Sequence, residues 1–76
     1  MVTAFVMIKA NTGEADRLRN TVESIEGVES AHIVAGDVDI IAKATVEAPA
    51  AVKNIAATEI QGINGVEDTQ TYIAMD

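Results

Sequence analysis

The chain repeats itself. Ile25-Glu26-Gly27-Val28-Glu29 returns as Ile63-Asn64-Gly65-Val66-Glu67, an offset of 38 residues in a chain of 76. The same offset pairs Val22 with Ile60 and Leu18 with Ala56. A duplicated helix end followed by Gly-Val leaves few folds open. Each half must bury one helical stripe against the strands that flank it.

Periodicity assigns the elements. Residues 3–10 (Thr-Ala-Phe-Val-Met-Ile-Lys-Ala) alternate Ala4, Val6 and Ile8 with Phe5 and Met7, a strand with two partly apolar faces. Asn11-Thr12-Gly13 offers caps to a helix that runs to about Glu26. Ala15, Leu18, Val22 and Ile25 form its apolar stripe, and Gly27 stops it. Glu14 and Asp16 stand in its first turn, where the macrodipole favours acids. Val28 to Ala35 is the second strand, Gly36-Asp37 a tight hairpin turn, and Val38 to Val46 the third strand. Glu47-Ala48-Pro49 opens the second helix, with the stripe Val52, Ile55, Ala56 and Ile60. Positions 62–65 break it, and Val66 to Met75 is the last strand. The order βαββαβ predicts an α+β, ferredoxin-like fold in one domain over residues 1–76. Its four-stranded antiparallel sheet carries both helices on one face.

Two helices cover one sheet face only. The other face would leave Phe5, Met7 and several aliphatics wet, forfeiting several kcal/mol at about 25 cal/mol per Å2. A domain this small usually needs a staple. The chain has no Cys, and His32 alone cannot build a zinc site, so no disulfide and no metal are expected. A homodimer through the uncovered face is the remaining remedy.

Charge narrows the partners. Twelve acids face five bases, a net charge of −7. Lys9, Arg17, Arg19, Lys43 and Lys53 are too scattered to converge on phosphates, which argues against direct nucleic-acid binding. No run of 18 apolar residues exists to span a membrane. The apolar start lacks a basic region before it, and Lys9 and Asn11 end it early, so a cytoplasmic protein is expected. Glu14, Asp16, Glu23, Glu26, Glu29, Glu47, Glu59, Glu67, Asp68 and Asp76 all fall at expected surface positions. They fit either an ordinary acidic domain or a halophilic source.

Catalytic constellations are weak. His32 sits mid-strand with Ser30 on the same face, and neither Ser24 nor Ser30 stands in a nucleophile elbow. Asp37 and Asp39 form an i, i+2 carboxylate pair at a turn, a pattern expected to be solvated. Aromatics make up 3% of the chain, too few to line the pocket of a cofactor-free oxygenase. No enzyme activity and no cofactor are expected.

The ordered set Gly36-Asp37-Val38-Asp39, a helix, then Ile60-x-x-Ile63-x-Gly65-Val66-x-x-Thr69-x-Thr71 resembles the effector-binding RAM domain of the Lrp/AsnC regulators. Strand 1 (Ala4-Phe5-Val6-Met7-Ile8) and Gly27-Val28 fit as well, so the resemblance spans essentially the whole chain. It looks like a stand-alone RAM domain without the family's helix-turn-helix domain. The resemblance implies sheet-to-sheet dimers assembled into octamers or similar rings. It also implies an amino-acid effector in clefts between dimers. Gly36 and Asp39 match the family's Gly-x-aromatic-Asp segment, and Thr69 and Thr71 its last strand, the two stretches that line that cleft. Val38 stands where the family often has Tyr or Phe, which removes an aromatic wall.

The chemistry is sound on its own terms. Asp39 or Asp37 would accept the ammonium of a zwitterion. Backbone N–H groups at the Gly turn, with Thr69 or Thr71 hydroxyls, would meet its carboxylate. A plainer reading stays open beside this one: Gly36-Asp37 as a hairpin turn, Thr69 and Thr71 as good strand formers. Three functions follow: a small-molecule effector-binding and oligomerisation module in transcription regulation, an assembly protein pairing with full-length Lrp/AsnC regulators, or an ACT-like regulatory subunit of an amino-acid enzyme.

Overall fold

Strand β1 (Val2–Ala10) forms the spine of the sheet in a computed structural model that describes residues 1–11 and 13–76. The other elements follow as α1 (Ala15–Glu23), β2 (Val28–Ile33), β3 (Ile40–Val46), α2 (Pro49–Lys53) continued by a π-helical segment (Asn54–Ile60), and β4 (Val66–Ile73). The sheet order is β2-β3-β1-β4, with every neighbouring pair antiparallel. This is the expected ferredoxin-like arrangement.

The alternation in β1 decides the core. Ala4, Val6 and Ile8 are buried, and so are Ala42, Ala44 and Ile40 opposite or beside them on β3. Leu18 and Val22 from α1 close on that face, joined by Val52, Ile55, Ala56 and Ile60 from the second helical stretch. The described residues bury no charged or polar side chain, so all the acids stay at the surface as their positions predict.

The repeat has a geometric meaning. Gly27 and Gly65 both adopt positive φ, 98° and 106°, which lets the chain turn out of a helix at no Cβ cost. The bonds around them also repeat. Ile25 N donates to Val22 O and Ile63 N to Ile60 O, while Val28 N donates to Ile25 O and Val66 N to Ile63 O. The carbonyls of Gly27 and Gly65 then accept from Thr45 N and Asn11 N, each at 2.9 Å. Two residues on from each glycine, Glu29 and Glu67 are the extra residues of two β-bulges, where the registers shift. Gly-Val-Glu is therefore a turn-and-bulge unit used twice.

Several boundaries differ from expectation. Helix α1 ends at Glu23, three residues before Glu26. Ser24 Oγ donates to Thr21 O at 2.6 Å, and its amide is shared between Asn20 O and Thr21 O. That local bonding competes with another helical turn. At the other end, the chain enters α1 through Glu14, whose carbonyl accepts from Leu18 N. The expected capping triplet includes Thr12, which lies outside the described residues.

Gly36-Asp37 is not a two-residue hairpin turn. Gly36 has no positive φ, which such turns demand, and the strands stop at Ile33 and Ile40. One further bond, Val34 N to Asp39 O at 2.9 Å, closes a four-residue loop over positions 35–38. Strand β4 ends at Ile73 and not Met75, with Ala74 N still donating to Thr3 O.

The second helix begins at Pro49 as expected but widens after Lys53, where Gln61 N reaches back to Ala56 O. Its stripe survives, because the four-residue spacing of Val52, Ala56 and Ile60 is about one turn in either geometry.

Candidate functional site

The five expected effector-binding residues fall in three places. Thr69 and Thr71 lie on β4 opposite Ile8 and Val6, so their side chains share the helix-side face of the sheet. β4 is an edge strand, and the second helix does not reach fully over it. The result is an open groove of about 390 Å3. Val52, Ala56, Ala57 and Ile73 give it an apolar floor, and Thr69, Thr71, Gln61 and Lys53 bring the polar groups. Gln61 Nε2 donates to Thr69 Oγ1 at 2.7 Å, which orients both. π-helical turns are rare and gather at functional positions; here Ala56 and Ala57 of that segment line the groove.

Gly36 and Asp37 lie elsewhere, exposed in the β2–β3 loop. Nothing comes within 4 Å of a Cβ placed on Gly36. Asp37 makes no hydrogen bond among the described residues. Neither residue lines the groove.

Asp39 has a different occupation. Its Oδ2 accepts from Ala10 N at 2.9 Å, its amide donates to Ile8 O and its carbonyl accepts from Val34 N. β3 leaves the ladder at this point, and the carboxylate stands in for the carbonyl that Ala10 N would otherwise meet. The bond joins residues 29 apart in sequence and is part-buried. Asp39 is thus tied to β1, while Asp37, two residues before it, stands exposed on the loop. Asp39→Ala should cost about 1.5–3 kcal/mol, the usual worth of a bond to a charged group, while Asp39→Asn recovers part of it. Chemical unfolding of the two variants checks this without any ligand. Equal stability of Asp39→Ala and wild type would remove the structural role.

The sequence pattern did not single out Gln61 or Lys53 as groove residues. Each adjoins a buried stripe residue, Ile60 and Val52, and faces the groove only because the second helix stops short of the edge strand. A second open hollow collects Glu26, Glu47 and Glu59 near Thr45 and Asn54. No group of three or more acids and His able to hold a metal exists among the described residues. His32 is exposed on β2 opposite Ile41, on the face away from the helices. No helix among the described residues is long and apolar enough to cross a membrane.

Comparison with known proteins agrees with this architecture. The family model described as the Lrp/AsnC ligand binding domain matches residues 3–76. The leucine-responsive regulatory proteins of Klebsiella pneumoniae and Escherichia coli K12 are each 31% identical over 75 residues, covering 95% of this chain and 46% of theirs. The chain thus spans about half the length of the curated relatives it matches. Among solved structures, TTHA0845 of Thermus thermophilus superimposes with a TM-score of 0.94 at 25% identity, covering 100% of this chain and 95% of that one. Escherichia coli AsnC gives 0.89 at 22% identity over 99% of this chain and 51% of its own. A Neisseria meningitidis transcriptional regulator, solved as its L-Met complex, gives 0.86 at 18% identity over 99% and 50%. The last two show the shared fold. With the turn-and-bulge repeat, the sheet order and the matched residues in agreement, the chain belongs to the Lrp/AsnC ligand-binding domain family.

Proposed function

We propose that the chain senses a small zwitterionic amino acid and passes that occupancy on through assembly, acting in transcription regulation through partners and not by touching DNA itself. The observation that carries this is the division of the polar groups. Asp37, free to accept an ammonium, sits on one loop, while the Thr69 and Thr71 hydroxyls sit in a separate groove. A site closed between copies needs that division, with Gly36 and Asp37 from one copy meeting a groove of another. The relative solved with L-Met supports an amino acid as the class of ligand.

The open sheet face supports a homodimer as the unit that assembles. Phe5 and Tyr72 pair across β1 and β4 on that face, 36% and 51% exposed, with Met7 and Ile41 beside them. Covering them recovers apolar burial that one chain cannot achieve alone. Dimers of this kind would build the octamer or similar ring, and full-length Lrp/AsnC regulators are the natural hetero-partners.

A thermal-shift screen of the standard amino acids tests the ligand. At about 100 times Kd a ligand stabilises by about 2.7 kcal/mol, and in a domain of this size each kcal/mol moves Tm by about 4–8 °C. One or a few amino acids should raise Tm on the order of 10 °C, and Asp37→Ala should abolish the rise while keeping the ligand-free Tm. No shift with any amino acid sinks the ligand claim. Asp39→Ala is unsuitable for this screen, because its carboxylate holds the sheet together.

A further inference from the structure

The two halves of the repeat differ at one position of the turn. Glu26-Gly27 in the first half becomes Asn64-Gly65 in the second. An asparagine side-chain amide is open to attack by the main-chain nitrogen of the next residue. Glycine obstructs that attack least, because it has no Cβ. The other asparagines, Asn11, Asn20 and Asn54, precede Thr12, Thr21 and Ile55, whose branched Cβ crowds the same approach. Asn20 and Asn54 are also held in helical segments.

The turn leaves both reacting groups without a partner. Asn64 is exposed, and its side chain makes no hydrogen bond among the described residues. Ile63 N and Val66 N on either side are bonded, to Ile60 O at 3.0 Å and Ile63 O at 3.2 Å. Gly65 N meets no acceptor among the described residues. The peptide unit between Asn64 and Gly65 does carry a cation on its oxygen, because Arg17 Nη2 donates to Asn64 O at 3.1 Å. Glu14 holds the same guanidinium, with its Oε2 3.2 Å from Arg17 Nε.

We propose that Asn64 is a deamidation site and that Arg17 promotes the reaction. Gly65 N loses its proton to hydroxide, and the charge spreads through the peptide unit onto Asn64 O. The guanidinium stabilises it there. The nitrogen then forms a bond to Asn64 Cγ. The Cγ–Nδ2 bond breaks, and ammonia leaves with a proton returned through water. The product is a cyclic succinimide, which water opens. Opening at Cγ gives an aspartate on the native main chain. Opening at the main-chain carbonyl gives an isoaspartate, whose main chain runs through Cβ and Cγ. Nothing is oxidised or reduced.

The two products act differently on the fold. Glu26 already puts a carboxylate at this position of the first turn, where Gly27 has φ 98° against 106° at Gly65. The aspartate form therefore keeps the turn and adds a negative charge to a chain of net charge −7. The isoaspartate form lengthens the main chain between the Ile63 and Val66 bonds, just before the bulge that sets the register of β4. It disturbs the strand that carries Thr69 and Thr71, and the groove with it.

Incubating the folded chain in warm, mildly alkaline buffer tests the site. Mass spectrometry of its peptides reads the exchange of amide for acid, and an isoaspartyl methyltransferase labels the isoaspartate. Asn64 should convert before Asn11, Asn20 and Asn54, and no more slowly than in a synthetic peptide covering positions 60–68. An Asn64 that stays an amide in the folded chain while the peptide converts overturns the proposal. Arg17→Gln should slow the conversion about tenfold, the worth of one charge-assisted hydrogen bond, and Arg17→Lys should recover part of the rate. A guanidinium that only braced the turn would give the opposite sign, since its loss would loosen the turn and speed the attack. An equal or faster rate in folded Arg17→Gln therefore removes the role of Arg17. Asn64→Asp should keep the wild-type Tm, and the separated isoaspartate form should melt lower. An isoaspartate form with the wild-type Tm overturns the effect on β4.

Discussion

Ile8→Ala should lower the unfolding free energy by about 2–5 kcal/mol. Ile8 is fully buried at the middle of the sheet, between Ile40 on β3 and Thr69 on β4, and packs in the cluster formed with Leu18, Val22 and Ile60. Removing its outer carbons leaves a cavity that the sheet cannot close, because neighbouring strands hold the backbone on both sides. Small domains carry about 5–15 kcal/mol in all, so the loss takes away a large share of stability. Urea unfolding of wild type and variant reads it directly. Phe5, in the same strand but on the opposite face, is 36% exposed. A loss below about 1 kcal/mol for Ile8→Ala would mean that the helix side is not the core.

Gly27→Ala should destabilise by about 2–3 kcal/mol, the sum of two causes. The left-handed backbone at φ 98° costs a side chain about 1–2 kcal/mol. A Cβ there would also lie 2.8 Å from Ile55 Cδ1 and 3.2 Å from Val46 Cγ1, forcing a core side chain to move and adding about 1 kcal/mol. Gly36→Ala gives the contrasting result. Its φ is not positive and nothing lies within 4 Å, so Ala should be neutral or stabilise by up to about 1 kcal/mol through the unfolded chain. Thermal melts of the pair check both signs. Equal effects at the two glycines would contradict the turn geometry.

Much of the fold was legible because its signals are local. The stripes Leu18–Val22 and Val52–Ile55–Ala56–Ile60 follow from helical spacing, and Ala4, Val6 and Ile8 follow from strand alternation. The match of Gly27 with Gly65 pointed to a duplicated helix end, and both glycines do take positive φ. The hairpin misled. Gly36-Asp37 between two apolar runs carries the signature of a tight turn, yet β1 competes for Asp39, two residues on. Asp39 gives its amide to Ile8 and its carboxylate to Ala10, and the loop widens to satisfy them.

The candidate site was legible only in part for a similar reason. Thr69 and Thr71 share a face by alternation, and the sequence alone could pair them. Whether anything covered them depended on how far the second helix reaches across the sheet. That reach brought Lys53 and Gln61 to the groove, while Gly36 and Asp37 stand apart on the loop between β2 and β3.

The sequence by itself determined the order βαββαβ, the two buried stripes and the two turning glycines, because periodicity and φ are properties of short stretches of chain. Only the tertiary structure decided that the Asp39 carboxylate accepts from Ala10 N and that Arg19 and Glu23 of α1 bond the main chain of Ala31 on β2. Those outcomes rest on hydrogen bonds between residues 8 to 29 positions apart. Such bonds exist only after packing has brought a side chain to a backbone group that its own neighbours leave unsatisfied.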